Sequence, residues 1–236
     1  MRALSATELL DVWEQGFNQP LLQRALTLLA AGCPEVPPDE LAQLSIGQRD
    51  AGLLALRELT FGPQCSAVAT CPMCSEKSEL EFLTSNFQSE GVFEAPPEME
   101  LKLDGFELCF RLPTSADLAA VGNPGEGVSS REMLLDRCLL AGEKPLPAGV
   151  AAAVIEKMAR SDPLADIQLA LTCASCGYGW PAMFDVVSFF WSEIHAWAMR
   201  LLRDVHLLAS AYGWSEADIL ALSAARRQAY LEMVTV

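Results

Sequence analysis

Two cysteine pairs of identical spacing constrain this chain more than any other feature. The pairs are Cys71 with Cys74 and Cys173 with Cys176. Each pair follows a strand-like run and precedes another, which is typical of zinc knuckles, where a tight turn directs two thiolates at one ion. Gly177 suits such a turn, because the residue after the second ligand often needs a conformation without a Cβ. We therefore predict that the four cysteines bind one structural zinc ion.

The separation between the two pairs is unusually long for one metal site. Residues 75–172 lie between them, whereas a compact zinc ribbon separates its pairs by about 15–20 residues. Two alternatives remain open: a redox pair, which requires a βαβ context that neither pair has, and a coincidence of buried cysteines. Under the zinc hypothesis the ion joins distant parts of the chain, and four thiolates leave no open position for catalysis.

The other four cysteines are isolated from one another along the chain. Since no secretory signal is predicted, disulfides are not expected, and ordinary buried or half-buried cysteine explains each of them. Cys65 is close enough to the first pair to be an alternative ligand. The four are Cys33, Cys65, Cys109 and Cys138.

The pattern along the chain predicts an α+β, mostly helical fold. We expect an N-terminal helical region over 1–62 and a C-terminal helical region over 185–236. Between them, 63–184 is predicted as a zinc-knuckle β region, with residues 75–172 as an α/β insertion. The clearest local signal is a hairpin over 101–112 with a type I′ turn. Its predicted inner face is Leu101, Leu103, Phe106, Leu108, Phe110 and Leu112.

Helix and strand signals divide the remainder of the chain. Predicted helices end at Trp13, cover 21–31 and 45–60, end at Val121, and cover 129–140, 151–160 and 223–233. The expected caps are Ser5 or Thr7 for the first helix, Ser45 for the helix over 45–60, and Thr114 or Ser115 for the helix that ends at Val121. Predicted strands cover 67–70, 80–82 and 166–172, and predicted loops cover 33–38, 86–97 and 122–127. A long helix from Asp185 carries an apolar stripe and ends before Gly213. The stripe is Phe190, Ile194, Trp197, Leu201, Val205, Leu208 and Tyr212.

Charge and hydropathy exclude several classes of partner. The chain has 16 Lys and Arg against 31 Asp and Glu, a formal net charge of −15, which would repel a nucleic-acid backbone. No signal peptide and no apolar run near the ~20 residues of a membrane span is present. We therefore predict a cytoplasmic protein with no membrane insertion and no nucleic-acid partner. The acidic stretch from Glu76 to Glu107 is expected to be solvated, or to meet a basic partner.

The sequence carries no motif that indicates an enzyme. His195 and His206 share a face of the long helix but lie about 16 Å apart along its axis, too far to bind one ion. No nucleophile elbow, Walker, HExxH or dinucleotide fingerprint is present. We therefore expect no enzymatic activity and no small-molecule substrate.

The run over 191–234 resembles the T-even-phage baseplate protein family, which has relatives in phage-like contractile injection systems. The residues that carry the resemblance are Trp191, Trp197, Tyr212, Gly213, Trp214, Ile219, Leu220, Arg226, Arg227, Tyr230 and Leu231. The run over 45–62 and the two cysteine pairs resemble the injection-system branch of that family.

The resemblance implies a non-enzymatic structural component or assembly factor of a contractile-tail baseplate. Its partners would then be other baseplate or tail proteins, and it would be assembled into or onto a phage-tail-like particle. The alternative from another class is a zinc-ribbon adaptor that binds nucleic acid or transcription machinery. A metalloenzyme is the third reading, disfavoured because the cysteine set has no open position.

Three residues near the C-terminus are candidate partner contacts. Trp191 and Tyr230 lie off the apolar stripe and are predicted to be exposed anchors, because aromatics and Arg are enriched at interface hot spots. Arg227 lies one helical turn before Tyr230. The alternative is that Tyr230 packs on the long helix of the protein itself and Arg227 pairs with a surface acid.

Overall fold

The computed structural model describes residues 1–87, 96–122 and 129–234, and the predicted α+β, mostly helical class is confirmed. The helices are α1 (Ala6–Gly16), α2 (Leu21–Gly32), α3 (Pro38–Ala42), α4 (Ile46–Phe61), α5 (Ser115–Val121), α6 (Ser130–Cys138), α7 (Ala148–Ser161), α8 (Val186–Tyr212), α9 (Glu216–Leu220) and α10 (Ala224–Val234). The strands are β1 (Gln64–Thr70), β2 (Lys77–Leu83), β3 (Met99–Leu103), β4 (Phe106–Phe110), β5 (Leu139–Ala141), β6 (Gln168–Thr172) and β7 (Gly179–Met183). Short 3-10 turns cover Thr84–Asn86 and Pro163–Ala165.

Side-chain caps fix where several helices begin. Ser5 begins α1 and Ser45 begins α4, each with a reciprocal hydrogen bond to the residue three positions later. Such a capping box satisfies two backbone donors that have no partner within the helix. Thr114 begins α5 in the same way. The predicted cap at Ser45 is therefore confirmed. Of the two candidates for each of the other helices, Ser5 rather than Thr7 begins α1, and Thr114 rather than Ser115 begins α5.

One core, which we call the helical core, lies among α1, α2, α4 and the first half of α8. Its fully buried side chains include Leu28, Leu53, Phe190 and Ile194. The predicted α8 stripe explains this packing, because residues three and four apart share one helix face. The second half of α8 packs against α9 and α10 in a smaller cluster of Val205, Leu208, Ile219 and Leu231.

A second core, which we call the insertion core, lies between the sheet β3-β4-β5 and helix α7. Phe110 and Val154 are fully buried at its centre. The predicted hairpin is confirmed, and Asp104 and Gly105 turn it with φ of 51° and 83°. Its predicted inner face is buried or half-buried at every position. The alternation of apolar and polar residues therefore predicted the register of β3 against β4 correctly.

Several predicted elements differ from the structure. The helix predicted to Leu140 ends at Cys138, because Leu139 pairs with Phe110 as strand β5 and extends the sheet. The short helix α3 was not predicted. Strands β2 and β6 belong to the two hairpins that carry the cysteine pairs, so residues 84–167 lie between these hairpins. The predicted loops over 86–97 and 122–127 lie mostly outside the described residues.

The prediction that Trp191 is an exposed anchor is wrong. The residue is only 7% exposed, whereas Tyr212 on the predicted stripe is 39% exposed. The indole lies against Gly16, where an added Cβ would come within 2.2 Å of its ring, and the Arg24 guanidinium covers it at 4.5 Å from the ring centroid. The missing side chain of Gly16 on α1 makes room for a large ring beside the stripe.

Candidate metal centre

Each cysteine pair lies in the turn of an antiparallel hairpin. In the first hairpin Thr70 pairs with Lys77, and in the second Thr172 pairs with Gly179. The sequences of both hairpins alternate half-buried and exposed residues, as expected for a strand with one face on the protein. The predicted placement of each pair between two strands is confirmed.

The two turns have the same backbone geometry. The Cys71 amide donates to the Glu76 carbonyl at 2.8 Å, and the Cys173 amide donates to the Tyr178 carbonyl at 2.9 Å. The residue after the second cysteine has a left-handed backbone in both turns, with φ of 62° at Ser75 and 72° at Gly177. Glycine adopts this conformation without strain, whereas serine is less common there.

The two turns bring four sulfur atoms together. The Sγ atoms of Cys71 and Cys176 are 3.7 Å apart, and those of Cys74 and Cys173 are 3.6 Å apart. All four lie within 4.8 Å of one another. Since a disulfide holds its sulfurs at about 2.05 Å, these cysteines are free thiols. A tetrahedron with metal–sulfur bonds of about 2.3 Å has sulfur–sulfur edges of about 3.8 Å, so the cluster is compatible with one metal ion.

The cluster is half shielded from water. The first cysteine of each pair, Cys71 and Cys173, is 1% exposed, whereas the second, Cys74 and Cys176, is exposed. The ion would therefore lie at the surface, with one side against the protein.

Backbone amides and neighbouring thiols set the acidity of the cluster. Hydrogen bonds from the amides of Cys176 and Ser175 lower the pKa of Cys173 to about 7. At Cys74 the backbone hydrogen bond at Glu76 lowers the pKa, but desolvation and the adjacent thiols outweigh it and raise the pKa to about 12. Thiolates at this spacing repel one another, so full ionisation of the four requires a cation.

An aromatic cluster joins the two hairpins at the ends opposite their cysteines. Phe82 on β2 contacts Phe184 just after β7, with ring centroids 5.2 Å apart. Phe184 also stacks on Phe87 and lies 5.1 Å from Phe189 of α8. These aromatics were not assigned to the site from the sequence. The sequence signal that could have identified them is a phenylalanine near the end of each cysteine hairpin that is far from its cysteines.

The remaining cysteines and histidines lie outside the cluster. Cys65, considered an alternative ligand, is buried with its sulfur 4.0 Å from the Pro63 carbonyl oxygen. His195 is exposed on α8 and accepts a hydrogen bond from the Trp13 indole at 3.0 Å. Within the described ranges, the cluster that can hold a metal ion therefore consists of the four predicted cysteines.

The two other candidate partner contacts take part in packing within the chain. The Arg227 side chain is 12% exposed and lies 3.8 Å from the Asp204 carboxylate of α8. Tyr230 is half-buried, with its ring 4.8 Å from Trp214 in an edge-to-face contact. This arrangement corresponds to the alternative stated for the pair, in which both residues pack on the protein itself.

Comparison with models of protein families finds no match to this chain, and comparisons with curated proteins and with solved structures find none either. Among the described residues, no helix is long and apolar enough to cross a membrane.

Proposed function

We propose that Cys71, Cys74, Cys173 and Cys176 bind one zinc ion with a structural role. Four sulfur ligands at tetrahedral spacing favour a borderline-soft ion without geometric preferences, which describes zinc in a reducing compartment. The four-sulfur donor set is the observation that carries this proposal, with the distances of 3.6 and 3.7 Å between opposing sulfurs.

The ion would connect two hairpins that are far apart in sequence. Each hairpin has two strands, and a two-stranded hairpin is marginally stable by itself in water. The aromatic contacts between Phe82 and Phe184 hold the hairpins at one end. Zinc would hold them at the other end, so that metal binding adds directly to the free energy of folding.

We further propose that the protein is a non-enzymatic structural component or assembly factor of a contractile-tail baseplate. The resemblance of residues 191–234 to the baseplate family supports this role. The four-sulfur site is in agreement with it, since a fully ligated ion has no position for substrate. The partners would be other baseplate or tail proteins. The net charge of −15 favours protein partners over nucleic acid, and hence this role over a nucleic-acid adaptor.

The experiment combines metal analysis with particle assembly. The purified protein should contain one zinc per chain by mass spectrometry of metals. Deletion of its gene should leave tails without complete baseplates by electron microscopy, and the wild-type gene should restore them. Protein without stoichiometric zinc would refute the metal assignment. Normal tails in the deletion strain would refute the baseplate role independently of the metal.

A further inference from the structure

A cavity lies between helices α6 and α7, beside the insertion core. Its volume of about 410 Å³ is within the range of about 300–1,000 Å³ for pockets that bind small molecules. Side chains three and four positions apart line it from each helix, and such side chains share one helix face. They are Leu134, Leu135 and Cys138 of α6 and Ile155, Met158 and Ala159 of α7. The two helices therefore turn these faces towards the same space.

The floor of this cavity is the insertion core itself. Leu112, Cys138 and Met158 line the cavity, belong to that core and are 4%, 1% and 9% exposed. Leu134 and Ile155 are half-buried on its walls and still have apolar surface in contact with water. An occupant that covers this surface removes it from water, which is the main favourable contribution to the binding of an apolar molecule.

The described residues that line the cavity include three charged ones, and none of them offers a buried charge to an occupant. Arg131 and Asp166 are exposed, so water solvates both groups. Asp162 is buried, but its carboxylate faces the start of α4. Its Oδ2 accepts a hydrogen bond from the Gly47 amide at 2.9 Å, and its Oδ1 occupies the place that a Cβ on Gly47 would take. A charge deep in the cavity would therefore be buried without a partner, which is costly.

We propose that this cavity binds an uncharged, apolar small molecule. The aliphatic walls cover the molecule, and the absence of a buried counter-charge among the described lining residues selects against ions. A partner protein is a less suitable occupant, because charged residues such as Arg131 and Asp166 are depleted at the centre of protein interfaces. The proposal does not depend on the identity of the metal or on the baseplate role.

The test uses the full-length, metal-loaded protein and the uncharged dye N-phenyl-1-naphthylamine, whose fluorescence rises in apolar sites. Titration of the protein into the dye should give a saturable rise with a dissociation constant on the order of 10–100 μM. Ala159→Trp should fill the cavity from α7 and weaken binding at least about tenfold. Its control, Ala211→Trp at an exposed position of α8, should leave the dissociation constant within about twofold. No saturable rise with the wild type would overturn the proposal.

A second pair of variants tests the walls of the cavity without filling it. Leu134→Asp places a charge on the α6 wall and should also weaken dye binding at least about tenfold. Its control, Leu59→Asp, makes the same change at an exposed position of α4. Unchanged binding in both the Ala159 and the Leu134 variants, or equal weakening in the controls, would exclude the cavity as the site. Melting temperatures confirm that each variant is folded.

Competition tests the charge of the ligand. At pH 8, 1-octanol should displace the dye, whereas octanoate, which has a chain of the same length, should require at least about a tenfold higher concentration. Equal displacement by the two compounds would show that a cation such as Arg131 accepts a charged head group, and would overturn the assignment to an uncharged ligand.

Discussion

The helical core and the insertion core are assembled over very different distances in sequence. The helical core joins residues from Leu4 to Ile194, whereas the insertion core joins residues from Met99 to Met158. Closing a longer loop costs more chain entropy, although the cost rises slowly with length. The cysteine hairpins are attached to the helical core through Phe82 and Phe184. The cysteine cluster joins two segments that lie 99 to 105 residues apart in the chain.

The insertion core is held by interactions of a different kind. Its sheet and helices follow one another in sequence, and an ion-pair network lies beside it. The Asp117 carboxylate accepts hydrogen bonds from Arg111 at 2.5 and 2.9 Å and from Arg137 at 3.1 Å. The two cores meet at the start of α4, where the Gly47 amide donates to Asp162 at 2.9 Å. Under the zinc proposal, the contact between the two cysteine hairpins depends on the metal, whereas the insertion core depends on packing and charge.

The largest effect is expected from removing a metal ligand. Cys173→Ser should abolish metal binding and lower the free energy of unfolding by about 5 kcal/mol, a fall in melting temperature on the order of 10–20 °C. Hydrogen exchange should accelerate in β1, β2, β6 and β7 but not in β3 and β4. Cys138→Ser, in the insertion core, should leave metal content unchanged. Equal loss of protection in both cores would contradict the division between them.

The reverse experiment removes the central side chain of the insertion core. Phe110→Ala should cost about 3–5 kcal/mol, because it leaves a cavity at a fully buried position. Exchange should then accelerate in β3, β4 and α7, whereas the protein should keep its metal. A loss of metal in proportion to the loss of hydrogen-exchange protection would show that the insertion core and the cysteine cluster are not independent.

A smaller, pH-dependent effect is expected at Asp117. Desolvation raises the pKa of this carboxyl, but the hydrogen bonds from Arg111 and Thr114 outweigh it and hold the pKa well below its usual range. A depressed pKa stabilises the folded state above the unfolded-state value of about 3.9, and the stabilisation is lost as pH falls further. Asp117→Asn should cost about 2 kcal/mol at pH 7.

The difference between the wild type and the Asp117 variant should shrink as pH falls below about 4. Urea unfolding of both proteins at pH 7 and pH 3 measures this difference, and loss of metal in acid affects both alike. A difference that stays constant across this range would show that charge at Asp117 is not what stabilises the insertion core.

Several elements of this protein could be predicted from the sequence, because they depend on interactions between residues that are close together in the chain. The Asp104–Gly105 turn, the Ser45 cap and the end of α8 before Gly213 depend on residues adjacent in the chain, and all three are confirmed. The cysteine cluster was also predicted, because each C-x-x-C turn carries its own geometry and two turns are needed to complete one site. The prediction failed at strand β5, where Leu139 joins a sheet whose other strands lie about thirty residues earlier.

The sequence by itself determined the class of the fold, the four cysteines that cluster and the apolar face of the long helix, because each is encoded in short-range periodicity or spacing. Only the tertiary structure decided which aromatics are covered. Trp191 is buried because Gly16, on another helix, leaves room for its ring, and Tyr212 is more exposed although it continues the stripe. The tertiary structure also decided that Phe82 and Phe184 join the two cysteine hairpins. Such contacts depend on how elements pack in three dimensions, and no local pattern specifies the neighbour that a side chain will meet.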